Sequence, residues 1–149
     1  MRMLLAVALL FAAGPVAASD QDDVMAAVRQ FVHAFNKGDT NEMEKMCADQ
    51  TSIIDEFPPH EWHGPGACLQ WLADYDTDAK KNGITDGWVS IGTPRHLDVT
   101  GDRAYVVIPA EYKYKLKGKP VKESGVMFTL ALRKSEHAWH AVGWAWPKP

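Results

Sequence analysis

The 149-residue sequence lacks the short motifs that mark several large enzyme classes. It contains no G-x-S-x-G, no glycine-rich loop of the Walker or G-x-G-x-x-G type, and no H-E-x-x-H. These absences argue against a nucleophile elbow, a phosphate-binding or dinucleotide-binding loop and a zinc-protease helix. Nothing in the sequence points to a Ser-His-Asp triad either.

The sequence also lacks a strong excess of charge. Sixteen Lys and Arg oppose 19 Asp and Glu, which gives a formal net charge of −3. The one basic cluster, residues 113–122, contains Lys-Gly-Lys-Pro between two strand-like runs and is typical of a solvated hairpin. Because phosphate binding requires clustered Lys and Arg, we expect no nucleic-acid partner and no anionic membrane surface as a partner.

Cysteine is scarce, since only Cys47 and Cys68 are present and they form no C-x-x-C motif. A thioredoxin-type redox role therefore has no support. Two interpretations of the pair stay open at this level. The cysteines form a disulfide if the chain is exported, or they are two buried free thiols.

Long hydrophobic runs are absent except at the N-terminus. Residues 4–13 are entirely apolar, follow a single positive charge at Arg2 and precede Gly14 and Pro15. A run this short does not reach the roughly 20 residues of a membrane-spanning helix, whereas the small residues after it are typical of a cleavage site. We predict a cleaved signal peptide at residues 1–19, an exported (periplasmic or secreted) domain at residues 20–149, and no membrane anchor.

Beyond the leader, apolar spacing predicts a helix at residues 21–37, a short one through residue 48 and a third from about residue 65, which Asn82 and Gly83 end. A short β-branched run, residues 51–55, precedes the third helix. Four long strands, joined by short turns into an antiparallel meander, are expected at residues 88–99, 103–116, 121–133 and 137–146. Strands of this length imply a strongly bent sheet, and a bent sheet closed by helices forms a cone with room for a small apolar ligand.

This order of elements resembles the nuclear transport factor 2-like, or SnoaL-like, superfamily. The resemblance rests on residues 29–39, RQFVHAFNKGD, on the MCAD segment at residues 46–49, and on WHAVGWAW at residues 139–146. It implies an α+β cone-shaped fold with three N-terminal helices packed on a strongly bent antiparallel sheet. It further implies a DUF4440-type exported member that forms homodimers. It implies no single reaction, because this fold hosts isomerases, dehydratases, cyclases, hydrolases and binding modules.

Ketosteroid isomerase is the family member against which single residues can be compared. Its catalytic aspartate precedes a glycine by nine positions, as Asp55 precedes Gly64 here. Its oxyanion-binding tyrosine corresponds to Phe31, and its late-strand carboxyl has no counterpart in residues 125–130. The resemblance therefore argues against ketosteroid isomerisation by that set of residues.

Asp55 is the first candidate for catalysis, since it ends a strand expected at the mouth of the cone, where burial would raise its pKa. The alternative is that its side chain only caps the turn at Pro58 and Pro59. His63 is the second candidate, as a proton-transfer group at the rim of the pocket. His60 and His63 do not have a recognised zinc spacing, so we expect no metal and no cofactor.

Aromatic side chains supply the candidate ligand-binding residues. Alternation on the last strand predicts Trp144 and Trp146 on one face and Trp139 with Ala141 on the other. Packing of a core without a pocket is the alternative interpretation. The candidates for binding a small apolar molecule are Phe31, Phe35, Trp62, Trp88, Tyr112 and Trp144.

Two functional hypotheses follow. The first is an exported small-ligand-binding protein or cofactor-free acid/base enzyme with an apolar pocket, and the sequence leaves open whether it is an enzyme. The second is a non-catalytic association module, in which the open sheet face makes a homodimer or docks a partner.

Overall fold

A computed structural model describes residues 19–149, so the predicted signal peptide, but for Ser19, lies outside the described residues. Three helices and one seven-stranded sheet make up this part of the chain. The strand order is β2-β1-β7-β6-β5-β3, and β4 also pairs with β5. The elements are α1 Asp20–Lys37, α2 Thr40–Met46, β1 Cys47–Asp55, β2 Glu61–Gly64, α3 Ala67–Asn82, β3 Ile84–Ile91, β4 His96–Thr100, β5 Arg103–Leu116, β6 Lys119–Ser135 and β7 Ala138–Trp146.

The α+β fold with three helices on a curved sheet is confirmed. Helix α1 begins with a reciprocal capping box between Ser19 and Asp22, and it ends at Gly38 in the left-handed conformation. Its buried stripe, which includes Val24, Val28 and Phe31, packs against the concave side of the sheet. None of the helices within residues 19–149 is long and apolar enough to cross a membrane.

The sheet is mixed, whereas an antiparallel one was predicted. Strand β1 pairs in parallel with the last strand, β7, with Ile53 beside Trp144. A Cβ atom at Gly143 would lie 2.8 Å from the backbone oxygen of Ser52, so glycine is what allows the two strands to approach this closely. Helix α2 ends at Met46 and strand β1 begins at Cys47. The second helix was expected to continue through residue 48.

Strand β2 lies between the β-branched run and the third helix, where no strand was predicted. Glu61–Gly64 pairs antiparallel with β1 after the turn at Pro58 and Pro59. The two prolines end the preceding strand, but they leave the four residues before Pro65 free to form a ladder. The hairpin fixes Trp62 opposite Ile53 on the inner face.

The strand predicted at residues 88–99 is two strands, β3 and β4, which pair with successive halves of β5. Between them, Gly92 donates its N–H to the carbonyl of Pro109 at 2.9 Å. In an antiparallel ladder the N–H and C=O of one residue face the same neighbouring strand. Pro109 has no N–H, so it cannot donate the second hydrogen bond to the strand that contains Gly92. The ladder breaks there and the edge of the sheet bends.

Two bulges set the direction of side chains along the long strands. Gly125, with φ of 88°, is an extra residue in β6 between the pairs Ala110 with Val126 and Glu111 with Ser124. Val142 is an extra residue in β7, because Ala131 pairs with Gly143 and Leu132 with Ala141. Each bulge shifts the inward and outward alternation by one residue.

Two links attach the helices to the sheet. The side-chain amide of Asn36 donates to the carbonyl of Val89 at 2.7 Å and accepts from its N–H at 2.7 Å. Cys47 and Cys68 form a disulfide, with their Cα atoms 6.4 Å apart, which joins the start of β1 to the start of α3. Of the two interpretations of the cysteines, the structure has the disulfide.

Candidate functional site

A cavity of about 120 Å³ lies between helices α1 and α3 and the concave face of the sheet. Cavities of this order, about 150 Å³, hold a ligand the size of benzene. Ten of its lining residues are aromatic and four are acidic. The lining consists of Phe31, Val32, Phe35, Asp55, Glu56, Phe57, Trp71, Tyr75, Asp78, Ala79, Ile84, Val89, Tyr112, Tyr114, Glu123, Phe128, Trp144 and Trp146.

Asp55 ends β1 at the wall of this cavity and is only 7% exposed. Its Oδ2 accepts the indole N–H of Trp71 at 3.0 Å, and its Oδ1 accepts the N–H of Glu56 at 2.7 Å. Burial raises the pKa of Asp55 to about 7, although the two hydrogen bonds act in the opposite direction. Near neutral pH this carboxyl group can both accept and donate a proton.

The side chain of Asp55 does not cap the turn that follows it through Pro58 and Pro59. The turn is closed by the backbone, because Asp55 donates its N–H to the carbonyl of His60 at 3.0 Å. The imidazole of His60 also contacts the carbonyl of Asp55, with Nδ1 at 3.2 Å. The carboxylate is thereby left to face Trp71 and the cavity.

Two tyrosines also line the cavity. The hydroxyl groups of Tyr75 on α3 and Tyr112 on β5 hydrogen-bond to each other. A Cβ atom at Gly87 would lie 2.6 Å from the Tyr112 hydroxyl, so the glycine makes room for the pair. Burial raises the pKa of both tyrosines, which keeps both phenols protonated. One proton lies between the two oxygens and the second is free to be donated.

A pair of carboxyl side chains, Glu56 and Glu123, lines the cavity together with Asp55. Glu123 accepts the hydroxyl of Tyr114 at 3.0 Å, and its buried Oε2 has no hydrogen-bond partner among residues 19–149. Burial raises the pKa of Glu123, and the neighbouring Glu56 raises it further. Lys148 reaches Glu56 from the chain end, with Nζ 3.3 Å from Oε2.

The structure brings together five of the residues proposed from the sequence. The residues found on the cavity wall are Phe31, Phe35, Asp55, Tyr112 and Trp144. Phe31 contacts Trp144 edge to face at 4.9 Å between ring centroids, and Phe35 contacts Tyr75 at 5.1 Å. The aromatic groups therefore form one continuous wall rather than separate patches.

Three other proposed residues lie elsewhere. His63 is exposed on β2, where its imidazole contacts Glu61 at 3.3 Å, because alternation directs Trp62 inward and His63 outward. Trp62 is buried behind Phe57 and donates its indole N–H to Asp74 at 2.8 Å. Trp88 is 48% exposed because its neighbour Val89 occupies the inner face of β3.

The faces predicted for the last strand are wrong beyond Val142. Trp139, Ala141 and Trp144 are all buried on the inner side, where Trp146 also lines the cavity. The bulge at Val142 explains this, since the inserted residue reverses the alternation between Ala141 and Trp144. The strand therefore places all three tryptophans on the core side, whereas two on one face and one on the other were predicted.

Sequence reasoning missed Glu56, Tyr75 and Glu123 as site residues. For Glu123 a signal was present, because a glycine inside a strand pattern indicates a bulge. Counting from Gly125 as an inserted residue places Glu123 on the same face as Val126 and Phe128. No group of His, Cys, Asp and Glu that could hold a metal ion occurs within residues 19–149.

The comparisons with known proteins agree with this architecture. The model of the SnoaL-like domain matches residues 24–144. A search of curated protein sequences finds no match.

Among solved structures, the CaMKII hub of S. rosetta superposes with a TM-score of 0.73 at 16% identity, covering 90% of this chain and 100% of the hub. A nuclear transport factor 2-like superfamily protein from Salmonella enterica gives 0.71 at 13% identity, covering 87% and 90% of the two chains. A nuclear transport factor 2-like protein from Cytophaga hutchinsonii gives 0.67 at 12% identity, with 89% and 100% covered. At these identities the likeness shows the fold alone.

Proposed function

The chain belongs to the SnoaL-like domain family, and from this premise we propose that it takes a small molecule into the cavity and moves a proton on it with Asp55. The observation that carries the proposal is the position of Asp55, which is nearly buried, faces the cavity and has a pKa raised to about 7. General acid/base groups work best when their pKa lies near the working pH.

The tyrosine pair supplies the complementary group. A carboxylate that removes a proton from a carbon next to a carbonyl leaves negative charge on the carbonyl oxygen. The free hydroxyl proton of the Tyr75 and Tyr112 pair can donate to that oxygen, and the proton held by Asp55 then returns to carbon. This oxyanion donor comes from α3 and β5. In ketosteroid isomerase the donors come from the first helix and a late strand.

The test is proton exchange at carbon, which needs no knowledge of the natural substrate. We expect the wild-type protein to accelerate deuterium uptake from D₂O at the α-carbons of small ketones such as cyclohexanone, followed by NMR. Asp55→Asn should lower the rate by about 100-fold or more, which is the usual contribution of general acid/base catalysis.

Asp74→Asn is the matched control, because Asp74 also accepts a tryptophan indole N–H but lies outside the cavity lining. It should leave the exchange rate unchanged. Exchange by Asp55→Asn at the wild-type rate, or no exchange by the wild type, would contradict the catalytic proposal. Native mass spectrometry of protein purified from its own cell then tests ligand binding without catalysis, since a bound small molecule is expected there.

We further propose that this domain acts outside the cytoplasm, as a DUF4440-type exported member of the family. The support is the leader-like sequence at residues 1–19 together with the disulfide between Cys47 and Cys68. Disulfides persist in oxidising compartments and are rare in the cytosol. Intact mass measurement of the protein isolated from its own cell should show a chain that begins near Ser19 or Asp20.

The second candidate function is association through the outer face of the sheet. Ile54 is 60% exposed and Tyr105 46% exposed on this face, and Ala131, Gly143 and Ala145 lie between them. An exposed patch of apolar and small side chains is typical of an interface between subunits. We propose a homodimer, for which light scattering should give twice the chain mass for the wild type and the monomer mass for Tyr105→Lys.

A further inference from the structure

The cavity is aromatic and acidic at the same time, which narrows the chemistry of its ligand. Four acidic residues line it, and no Lys, Arg or His lines it within residues 19–149. A ligand with a carboxylate or phosphate would meet only like charge there. A purely apolar ligand would leave the buried Oε2 of Glu123, which has no hydrogen-bond partner among residues 19–149, unsatisfied.

Aromatic rings stand beside these carboxylates. Tyr112 and Tyr114 stack with their ring centroids 4.8 Å apart, and Trp146 meets Tyr112 edge to face at 6.5 Å. Glu123 lies on the neighbouring strand, paired with Tyr112, and the hydroxyl of Tyr114 fixes its side chain. Aromatic faces next to a carboxylate are the arrangement by which proteins recognise ammonium groups.

An ammonium group already occupies the outer side of this carboxyl pair. Nζ of Lys148 lies 3.3 Å from Oε2 of Glu56, and its charge lowers the pKa of Glu123. The lysine therefore pairs with Glu56 from the exposed side, and the buried Oε2 of Glu123 has no hydrogen-bond partner among residues 19–149.

We propose that the ligand of this cavity is a small organic cation, an ammonium compound whose charged group is held by Glu123 and Glu56 against the Tyr112 and Tyr114 rings. The inference rests on the proposed function, because it names the class of ligand for the same cavity. The volume of about 120 Å³ limits the ligand to a few carbon atoms around the nitrogen.

Choline and its neutral isostere 3,3-dimethylbutan-1-ol isolate the contribution of charge, since they have the same shape and differ in the central atom. We expect isothermal titration calorimetry to show choline binding at least about tenfold more tightly than the alcohol. The corresponding anion, 3,3-dimethylbutanoate, should show no binding. Work at about pH 8 keeps Asp55 largely ionised.

Glu123→Gln should remove most of the preference for choline, and Glu111→Gln is the matched control. Glu111 is next to Tyr112, the β5 residue that pairs with Glu123. Its side chain lies on the outer face, where it forms ion pairs with Lys113 and Lys122. Its removal deletes the same charge and should leave the preference intact. Lys148→Gln should strengthen choline binding about threefold, because a competing ammonium is removed.

Equal affinities for choline and the alcohol, tighter binding of the alcohol, or no binding of choline would each overturn the inference. So would a preference that survives Glu123→Gln in a variant with wild-type circular dichroism. These results are distinct from failure of the proposed function. Tight binding of the neutral alcohol together with ketone exchange that depends on Asp55 would leave the acid/base proposal standing.

Discussion

The two halves of the β5 and β6 hairpin carry the same backbone pairing but opposite kinds of interior. At the end toward Arg103, the inner face presents Val106, Ile108 and Leu130, all at most 1% exposed and packed under α1. At the other end it presents Tyr112, Tyr114 and Glu123 around a cavity. The bulge at Gly125 lies between the halves, so one inserted residue separates Tyr112 and Glu123 at the cavity from the fully buried Ile108 and Leu130.

The largest effect is expected from truncating the packed half. Leu130→Ala should lower the free energy of unfolding by about 2–5 kcal/mol, because the lost side chain leaves a hole beside Val106 and Trp144, its partners on the adjacent strands. Urea denaturation followed by circular dichroism measures the loss.

Ile84→Ala is the matched change at the cavity, where the half-buried side chain already borders empty space. Its cost should be about 1 kcal/mol, the value for partial burial of a few methylene groups. Equal losses for the two variants would show that the halves do not differ in packing.

The next effect concerns helix α3, which is covalently fixed at its first turn and carries Tyr75 toward the cavity. Replacing both cysteines by alanine opens a loop of sequence separation 21 and should cost about 3 kcal/mol of stability. Urea denaturation of the oxidised wild type and the double variant gives the difference.

Reduced wild type should match the double variant, since it lacks the same constraint. Two results would contradict the prediction: reaction of the cysteines of the native protein with an alkylating reagent, or a double variant as stable as the wild type. Either would mean that packing alone holds the first turn of α3.

A slightly smaller effect than loss of the disulfide is a change of stability with pH that comes from the cavity half. The carboxyl group of Asp55 has a pKa of about 7 when folded and an ordinary value of 3.8. Between these values the unfolded chain releases its proton first, so stability falls as pH rises toward about 7 and stays low above it.

Asp55→Asn removes this loss. Its stability relative to wild type should therefore increase by roughly 2–3 kcal/mol between about pH 5 and about pH 8. Urea denaturation at both pH values, with Asp74→Asn as reference, measures the change. A difference that does not vary with pH would show that Asp55 ionises as an exposed carboxyl does.

The sequence predicts the helix that covers the core and the short turn at the end toward Arg103 well. The spacing of Val24, Val28 and Phe31 is a local property of one helix, and the turn at Thr100 to Asp102 marks a short connection. Both depend only on neighbours in the chain. The parallel pairing of β1 with β7 joins segments about 90 residues apart, and no local pattern specifies it.

The cavity half shows where the prediction from sequence ends. Asp55 could be singled out because it ends a strand before two prolines and matches a family position. Glu123 could be placed on the inner face only by treating Gly125 as an inserted residue. The inward position of Trp144 could not be predicted, because it depends on a bulge at Val142 that reverses the alternation of faces. The tyrosine pair requires the approach of α3 to β5, which the sequence alone does not specify.

The hydrogen bonds between Asn36 and Val89 have a consequence for the solubility of the folded chain. Strand β3 ends the sheet, and the outer edge of such a strand offers free N–H and C=O groups to any other extended chain. The amide of Asn36 occupies both groups of Val89 and so imitates one residue of a further strand. The edge is closed at its middle, and stacking of sheets edge to edge, the first step toward aggregation, is opposed there by one side chain.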